Sequence, residues 1–335
     1  MPKCAVIILN WNGARLLRQY LPSVVANTDP ALATVIVADN GSTDESLTVL
    51  RDEFQSVTVW PFDTNHGFAG GYNLCLQRAA KEGYTYTVLL NSDVETPAGW
   101  LEPMLSYMES HPDVGACQPK LLSYSDREMF EYAGASGGFI DRNGYPYCRG
   151  RVFSVCERDN GQYDDVIDIF WATGACLLVR TELYLQVGGL DELFFAHMEE
   201  IDLCWRIQLA GYSLRVVPQS VAYHLGGGSL PAGNPRKTYL NFRNNLLLLH
   251  KNLPDSTRGR TLLWRRLLDT VAWAKFALTL DLKNAGAVWR AHRDFARMRK
   301  QYTTHPDRDL LHTSPRRPNI LTAFYLLGRK TYNRL

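Results

Sequence analysis

The stretch from Thr87 to Glu95, Thr-Val-Leu-Leu-Asn-Ser-Asp-Val-Glu, constrains the fold more than any other in the chain. A β-branched and leucine-rich run stops at a polar cluster, the pattern of a buried strand delivering Asn91 and Asp93 to its carboxyl end. In open α/β sheets ligands bind just outside those ends. A carboxylate placed there can hold a divalent cation against a phosphorylated ligand. Taken alone, the same residues also suit a turn that caps a helix and leaves Asp93 in solvent.

The preceding sequence repeats this pattern. Cys4–Leu9 reads as a buried strand ending in the polar loop Asn10-Trp11-Asn12-Gly13, followed by helical spacing of Leu16, Leu17, Tyr20, Leu21 and Val24. Thr34–Ala38 is a second strand; it ends at Asp39, which points into the crevice, and at an Asn40-Gly41 turn. Val57–Phe62 is a third, followed by a glycine-bearing stretch from Asn65 to Asn73 and a helix over Leu74–Lys81. Glycines before a helix let backbone N–H groups approach phosphate or ribose, although this is not the Gly-x-Gly-x-x-Gly spacing. Alternating strands and helices predict a doubly wound α/β sheet.

Beyond the organising stretch, a helix opens near Pro97, Gly99 and Trp100, and Val114–Leu122 reads as a strand. Ser123–Asp168 is an irregular excursion rich in Gly, Tyr, Arg and Asp, the texture of a lid or substrate wall. Phe170–Arg180 restores a core strand. Glu199, Glu200 and Asp202 then crowd a helix start, where the dipole favours negative charge. Three acids exceed what capping needs, so one is predicted to act as a general base. Short strands Leu214–Val217 and Ser220–Tyr223 end at His224, before Gly226–Ser229, which suits a cleft residue under a mobile loop.

Totals bound the remaining choices. The 335 residues, 46% hydrophobic, suffice for one large domain with appendages or for two domains. Seven scattered cysteines without Cys-x-x-Cys suggest buried, reduced thiols in a reducing compartment. The apolar start is too short for a signal peptide, and no run of about 18 apolar residues predicts a spanning helix. From Arg236 onward there are 21 Lys/Arg against 6 Asp/Glu, a net of +15; the residues before it carry 15 against 28, a net of −13. Leu263, Leu267, Val271, Ala274, Leu278 and Leu282 keep helical spacing among basic residues. Such helices suit an anionic membrane interface, or else pack on the core with a solvated basic face. No nucleic-acid-binding motif is present.

Six motifs carry a family resemblance: Val6–Asn12, Ala38–Asp44, Gly67–Asn73, Leu90–Val94, Trp171–Ala175 and Glu199–Arg206, in that order. The chain resembles glycosyltransferase family 2, inverting enzymes of GT-A fold, and its rhamnosyltransferase-type bacterial members most of all. The resemblance covers about Cys4 to His250. It implies a Rossmann-like doubly wound mixed sheet over residues 1–250, an acceptor-side insertion at 123–168, and a helical, basic C-terminal segment at 251–335. It also implies a nucleotide-sugar donor held by Asn10, Trp11, Asn12, Asp39, Asn65, Gly67, Gly70, Asn73, Asn91 and Ser92, with Asp39 accepting from the pyrimidine N3–H. Mg²⁺ or Mn²⁺ would sit on Asp93 and His224; Asn91 stands where the family's metal motif has a first aspartate. Glu200 occupies the position of the catalytic base, with Glu199 as the alternative. Trp171, Thr173, Gly174 and Asp202 would meet the acceptor, a glycan or a polyprenyl-diphosphate-linked precursor, at the cytoplasmic face of the bacterial inner membrane. A sugar-1-phosphate nucleotidyltransferase and an inactive nucleotide-binding scaffold remain open at this point.

Overall fold

A computed structural model describes residues 3–226, 233–313 and 318–335. Its centre is β1 (Cys4–Asn10), parallel to β2 (Ala33–Asp39) on one side and to β4 (Tyr86–Leu90) on the other. Along β1, Cys4, Val6 and Ile8 enter one apolar cluster while Ala5 and Ile7 enter a second. Burial on both faces explains why these strands read as unbroken apolar runs. Helix α1 (Ala14–Ala26) covers the first face through Leu17, Leu21 and Val24. Helix α2 (Ser46–Glu53) joins β2 to β3 (Thr58–Pro61), and α3 (Gly67–Lys81) covers the second face through Tyr72 and Leu76. The sheet is doubly wound, as expected, and its order reverses at β1.

The sheet then turns mixed. A two-residue strand, β5 (Val94–Glu95), and α4 (Glu102–Ser110) lead to β6 (Val114–Ser123). The antiparallel β12 (Cys176–Arg180) fills the gap between β4 and β6. Beyond β6 lie β13 (Ser213–His224), parallel to it, and the edge strand β11 (Ile167–Asp168). β13 was expected as two strands; it is one, with a register shift between Val217 and Val221 where Pro218 removes a ladder donor.

The excursion is less irregular than its sequence suggests. Four short strands, β7 (Gly138–Ile140), β8 (Pro146–Cys148), β9 (Arg151–Val152) and β10 (Val155–Cys156), form a separate antiparallel sheet. Gly138 is required there: a Cβ on it would meet the Trp171 ring at 2.1 Å.

The remaining helices are α5 (Thr181–Gln186), α6 (Glu199–Leu209), α7 (Pro235–Asn252), α8 (Asp255–Leu278) and α9 (Leu282–Met298). Leu246–Leu249 of α7 share a core with Phe170 and Trp205, and that core continues through Leu253, Leu262, Phe295 and Leu311. The division drawn at residue 250 therefore falls within α7 and within one hydrophobic core. A chain ending at residue 250 is expected to lose its cooperative melt in circular dichroism, because Leu253, Leu262, Phe295 and Leu311, which continue the core of Leu246–Leu249, are removed.

Helix α8 presents an unusual face to the body. Arg265 donates to Asn245 Oδ1 (2.5 Å) and Asp269 Oδ1 (2.9 Å) and stacks on Tyr145 at 3.7 Å. The inward residues are Thr261, Leu262, Arg265 and Asp269, whereas Leu263, Leu267, Val271 and Leu278 face out. The helical spacing is as expected, and packing of the apolar stripe on the core is not what the structure has.

Candidate active site

The metal-binding candidates are placed by strand pairing. The Asn91 N–H donates to Ala175 O at 2.9 Å, carrying the β4–β12 pairing one residue past the strand end. β5 then pairs with β13, Val94 opposite His224 and Glu95 opposite Tyr223. That register sets Asp93 Oδ1 3.2 Å from His224 Nε2. On the other side, His224 Nδ1 lies 3.4 Å from Glu131 Oε1. Burial alone would lower the His224 pKa; the two carboxylates outweigh it and push it up to about 10. Burial alone would raise Asp93, but His224 and backbone N–H groups hold its carboxyl below the usual range.

A spacing of 3.2 Å is close to the edge of an octahedron with metal–ligand bonds of about 2.1 Å. Asp93 and His224 thus fit two adjacent positions on one divalent cation. Among the described residues no group of three or more His, Cys, Asp or Glu is arranged to hold a metal by itself. Two protein ligands with water and substrate phosphate completing the shell is the usual arrangement for Mg²⁺ at phosphates. Glu131 was missed by sequence reading because the excursion shows no periodicity that would say which way its side chain points.

The second acid cluster opens α6. Just before it, Phe195, His197 and Met198 all have positive φ (66°, 68° and 73°). Non-glycine residues in that region are strained and persist only where the surroundings fix them. Helix α7 supplies the fixing: the buried Asn244 amide faces the carbonyls of Phe194, Ala196 and His197 at 2.7–2.9 Å, and Arg243 Nη2 donates to Phe194 O at 2.7 Å. Sequence reading passed over both residues. The available signal was Asn244-Asn245 standing beside a run of four leucines.

Glu199 is buried, with Oε2 unpartnered, whereas Glu200 is half-buried. Burial, and then the neighbouring Glu200 charge, push Glu199 up; burial also pushes Glu200 above the ordinary carboxylate range. A Cβ on Gly174 would sit 3.6 Å from Glu200 Cβ, so the Gly174 backbone flanks the Glu200 stem. Because Ala175 binds the Asn91 N–H, two consecutive residues join the two acid clusters.

The loop after β1 is held by its own side chains. Asn10 and Asp39 are buried, with Asn10 Nδ2 donating to Asp39 Oδ1 (2.9 Å) and the Ser42 N–H to Asp39 Oδ2 (3.0 Å). Asp39 therefore shapes the loop from beneath, buried in this structure with each carboxylate oxygen accepting from that loop. Asn12 (φ 50°) accepts from the Thr43 N–H at 2.7 Å, while Trp11 stands 58% exposed above. Asn65 Oδ1 accepts from the Gly67 N–H (2.7 Å) and from Asn40 Nδ2 (3.0 Å). Gly67 begins α3, so the expected glycine loop is helix; Gly71 packs where a Cβ would meet Leu9 at 2.8 Å. Gly70 and Asn73 line a cavity of about 370 Å³ between α3 and the turn at Gly188 and Gly189, which includes neither Asp93 nor Glu200. Asn73 is further engaged by the Leu190 N–H (2.9 Å) and Tyr184 OH (2.8 Å). Asn91 and Ser92 remain half-buried at the cleft edge.

Three of the expected acceptor residues lie below the surface. Trp171 is buried, its Nε1 donating to Phe139 O at 2.8 Å. Thr173 is buried, its N–H donating to Gln118 Oε1 and its Oγ1 accepting from the Ala175 N–H. Asp202 is fully buried and bound by Arg206 Nη2 (2.7 Å), Lys251 Nζ (2.8 Å) and Asn252 Nδ2 (2.7 Å). These three side chains are buried and engaged within the protein; of the four, Gly174 alone is half-buried, beside Glu200. The expected hinge at Gly227–Ser229 lies outside the described residues.

Residues 5–179 match the family model described as "Glycosyl transferase family 2", more than half of the chain. The chain belongs to glycosyl transferase family 2. It is 26% identical over 232 residues to the N-acetylglucosaminyl-diphospho-decaprenol L-rhamnosyltransferase of Mycobacterium tuberculosis, covering 65% of this chain and 75% of that one. It is 43% identical over 180 residues to the rhamnosyltransferase WbbL of Escherichia coli, covering 51% and 63%. The mannosyltransferase of Pyrobaculum calidifontis, solved with GDP-Man and Mn²⁺, superposes with a TM-score of 0.54 at 15% identity, over 90% of this chain and 84% of that one. The fold is GT-A, and the protein is a glycosyltransferase.

Two outcomes follow for this glycosyltransferase. Glu199 has a folded pKa above its unfolded value, so its burial costs nothing at low pH and destabilises progressively as pH rises toward the raised value. The Tm advantage of Glu199→Gln over wild type should be larger at pH 8 than at pH 5. Asp202→Ala leaves Lys251 and Arg206 without their shared carboxylate and should lower stability by about 3–5 kcal/mol in urea melts.

Proposed function

We propose that the chain transfers a sugar, with inversion at the anomeric carbon, from a nucleoside diphosphate sugar to a hydroxyl of a lipid-linked glycan precursor. The observation that carries this is the separation of two acid clusters joined through Gly174 and Ala175. Glu200 takes the proton from the acceptor hydroxyl. The freed oxygen forms its bond to the anomeric carbon from the face opposite the diphosphate, and the carbon–oxygen bond to phosphate breaks. Burial raises the basicity of Glu200, which suits it to proton abstraction near neutral pH. Glu199, more deeply buried, keeps a neutral carboxyl beside it.

At the other end, Asp93 and His224 would hold a divalent cation, whose chemistry is to neutralise charge on the departing diphosphate. Support for a metal comes from their spacing and from the Mn²⁺ in the related mannosyltransferase structure. Trp11, exposed above the Asn10–Ser42 loop, offers a stacking face for the nucleotide base. The two rhamnosyltransferase relatives favour a dTDP- or UDP-linked deoxyhexose donor, and the decaprenol-linked substrate named for one of them favours a polyprenyl-diphosphate acceptor. With such an acceptor, the proposed place of work is the cytoplasmic face of a bacterial inner membrane.

The test is turnover with a panel of nucleotide sugars and a short-chain prenyl-diphosphate glycan, with NMR of the product anomer. Inverted product is expected. Glu200→Gln should lower kcat by about 10²–10⁴-fold with donor KM little changed. Retained anomeric configuration, or full activity in Glu200→Gln, would overturn the assignment. Because burial raises Glu200, the acid limb of kcat/KM should lie above the ordinary carboxylate range, with activity lost as pH falls through it.

A further inference from the structure

We infer that the outward face of the α8–α9 hairpin is an in-plane insertion surface for an anionic lipid bilayer, with an anionic headgroup site at its N-terminal end. The apolar stripe of α8, Leu263, Leu267, Val271 and Leu278, is 53–84% exposed along one side of the helix. The opposite side buries Arg265 and Asp269 against Asn245, Tyr145 and His292. A water-facing helix on a protein body normally has the reverse arrangement. The inward ion pairs fix the rotation of α8, so the stripe cannot turn inward without stranding Arg265 and Asp269.

The hairpin tip points the same way. Leu280 is 82% exposed and has φ +59°, a conformation that glycine or asparagine adopts at lower cost. Leu278 and Leu282 flank it at 84% and 67% exposure. Three leucines in a strained, solvent-facing turn contribute nothing to the described core and gain only when covered by apolar material.

Charge selects the cover. The exposed charged residues from Gly259 to Leu280 are Arg260, Arg266 and Lys275, all basic, while the one acid in that span, Asp269, is buried. Trp264 walls a cavity of about 390 Å³ that also contains Arg142, Arg260, Asn143 and His312. Neither Arg142 nor Arg260 has a carboxylate partner among the described residues, although Asp309 is nearby on His312 (2.8 Å). Two guanidinium groups beside a half-exposed indole fit a lipid phosphate at the depth where tryptophan sits in a bilayer. No helix among the described residues can cross a membrane, so the contact is peripheral.

This deepens the reading above, which puts the acceptor on a lipid carrier; vesicle binding is read without turnover, so either can fail alone. The full chain is sedimented with phosphatidylglycerol vesicles and with phosphatidylcholine vesicles at low salt. Binding to the first is expected, at least about tenfold weaker in the exposed-face variant Leu267→Glu/Val271→Glu. Arg142→Ala/Arg260→Ala should reduce the preference for phosphatidylglycerol while leaving turnover on a soluble acceptor unchanged. Circular dichroism melts check that both variants fold. Wild type that ignores phosphatidylglycerol, or binding indifferent to both double substitutions, overturns the inference. A dimer in sedimentation velocity that Leu267→Glu/Val271→Glu dissolves would assign the face to a second copy and overturn it as well.

Discussion

The insertion of β12 between β4 and β6 is the contact on which the site depends. It is antiparallel in an otherwise mostly parallel region, so its beginning meets the end of β4. The last step of that pairing is the bond from Asn91 N–H to Ala175 O. One backbone hydrogen bond contributes only about 1 kcal/mol net. Its geometric effect is larger: it sets the cleft edge that carries Asp93 against the segment that flanks Glu200. The Gly174 backbone flanks the Glu200 stem and the Phe68 ring, whose nearest atoms would lie 3.6–3.8 Å from a Cβ, ordinary contact distance.

The other half of the site is held from the C-terminal side. Positive φ at Phe195, His197 and Met198 aims the start of α6 at the cleft, and Asn244 and Arg243 hold the carbonyls of that loop. Lys251 and Asn252 bind Asp202 one turn into α6. Helix α7 is therefore part of the scaffold of the candidate site. The polar seam beneath α8 continues the same body, through Asn245 and Arg265. The candidate site and the outward apolar face of α8 are thus attached to one packed set of helices.

What could be read from the chain was whatever periodicity and strand ends encode. Buried strands such as Cys4–Asn10 and Tyr86–Leu90 are unbroken apolar runs, so their polar termini stand out, and Asp93 and His224 were proposed as site residues from strand ends, Glu200 from the acids that crowd the start of α6. Glu131 was not, because its facing comes from a short pairing against the end of β6, where the Glu131 N–H donates to Leu121 O and Phe130 bridges to Leu122, too brief to show a period. Trp171 and Asp202 were assigned to the acceptor from motif position. Their burial follows from Gly138 packing under the indole and from Lys251 of α7, which joins Arg206 of α6 on Asp202; Gly138 and Lys251 both lie far from their partners in sequence. The direction of the α8 stripe was equally out of reach. Helical spacing says that one side is apolar, and only the buried Arg265–Asp269 pair says which side faces in.

The central claim is that the two acid clusters do separate jobs, one for the diphosphate and one for the acceptor. Calorimetric titration of a nucleoside diphosphate, with and without Mn²⁺, tests it most directly when run on wild type, Asp93→Ala and Glu200→Gln. The account predicts that Asp93→Ala abolishes the Mn²⁺ dependence of Kd, whereas Glu200→Gln stays within about threefold of wild type. Equal loss in both variants, or Mn²⁺-dependent binding that survives in Asp93→Ala, would contradict it.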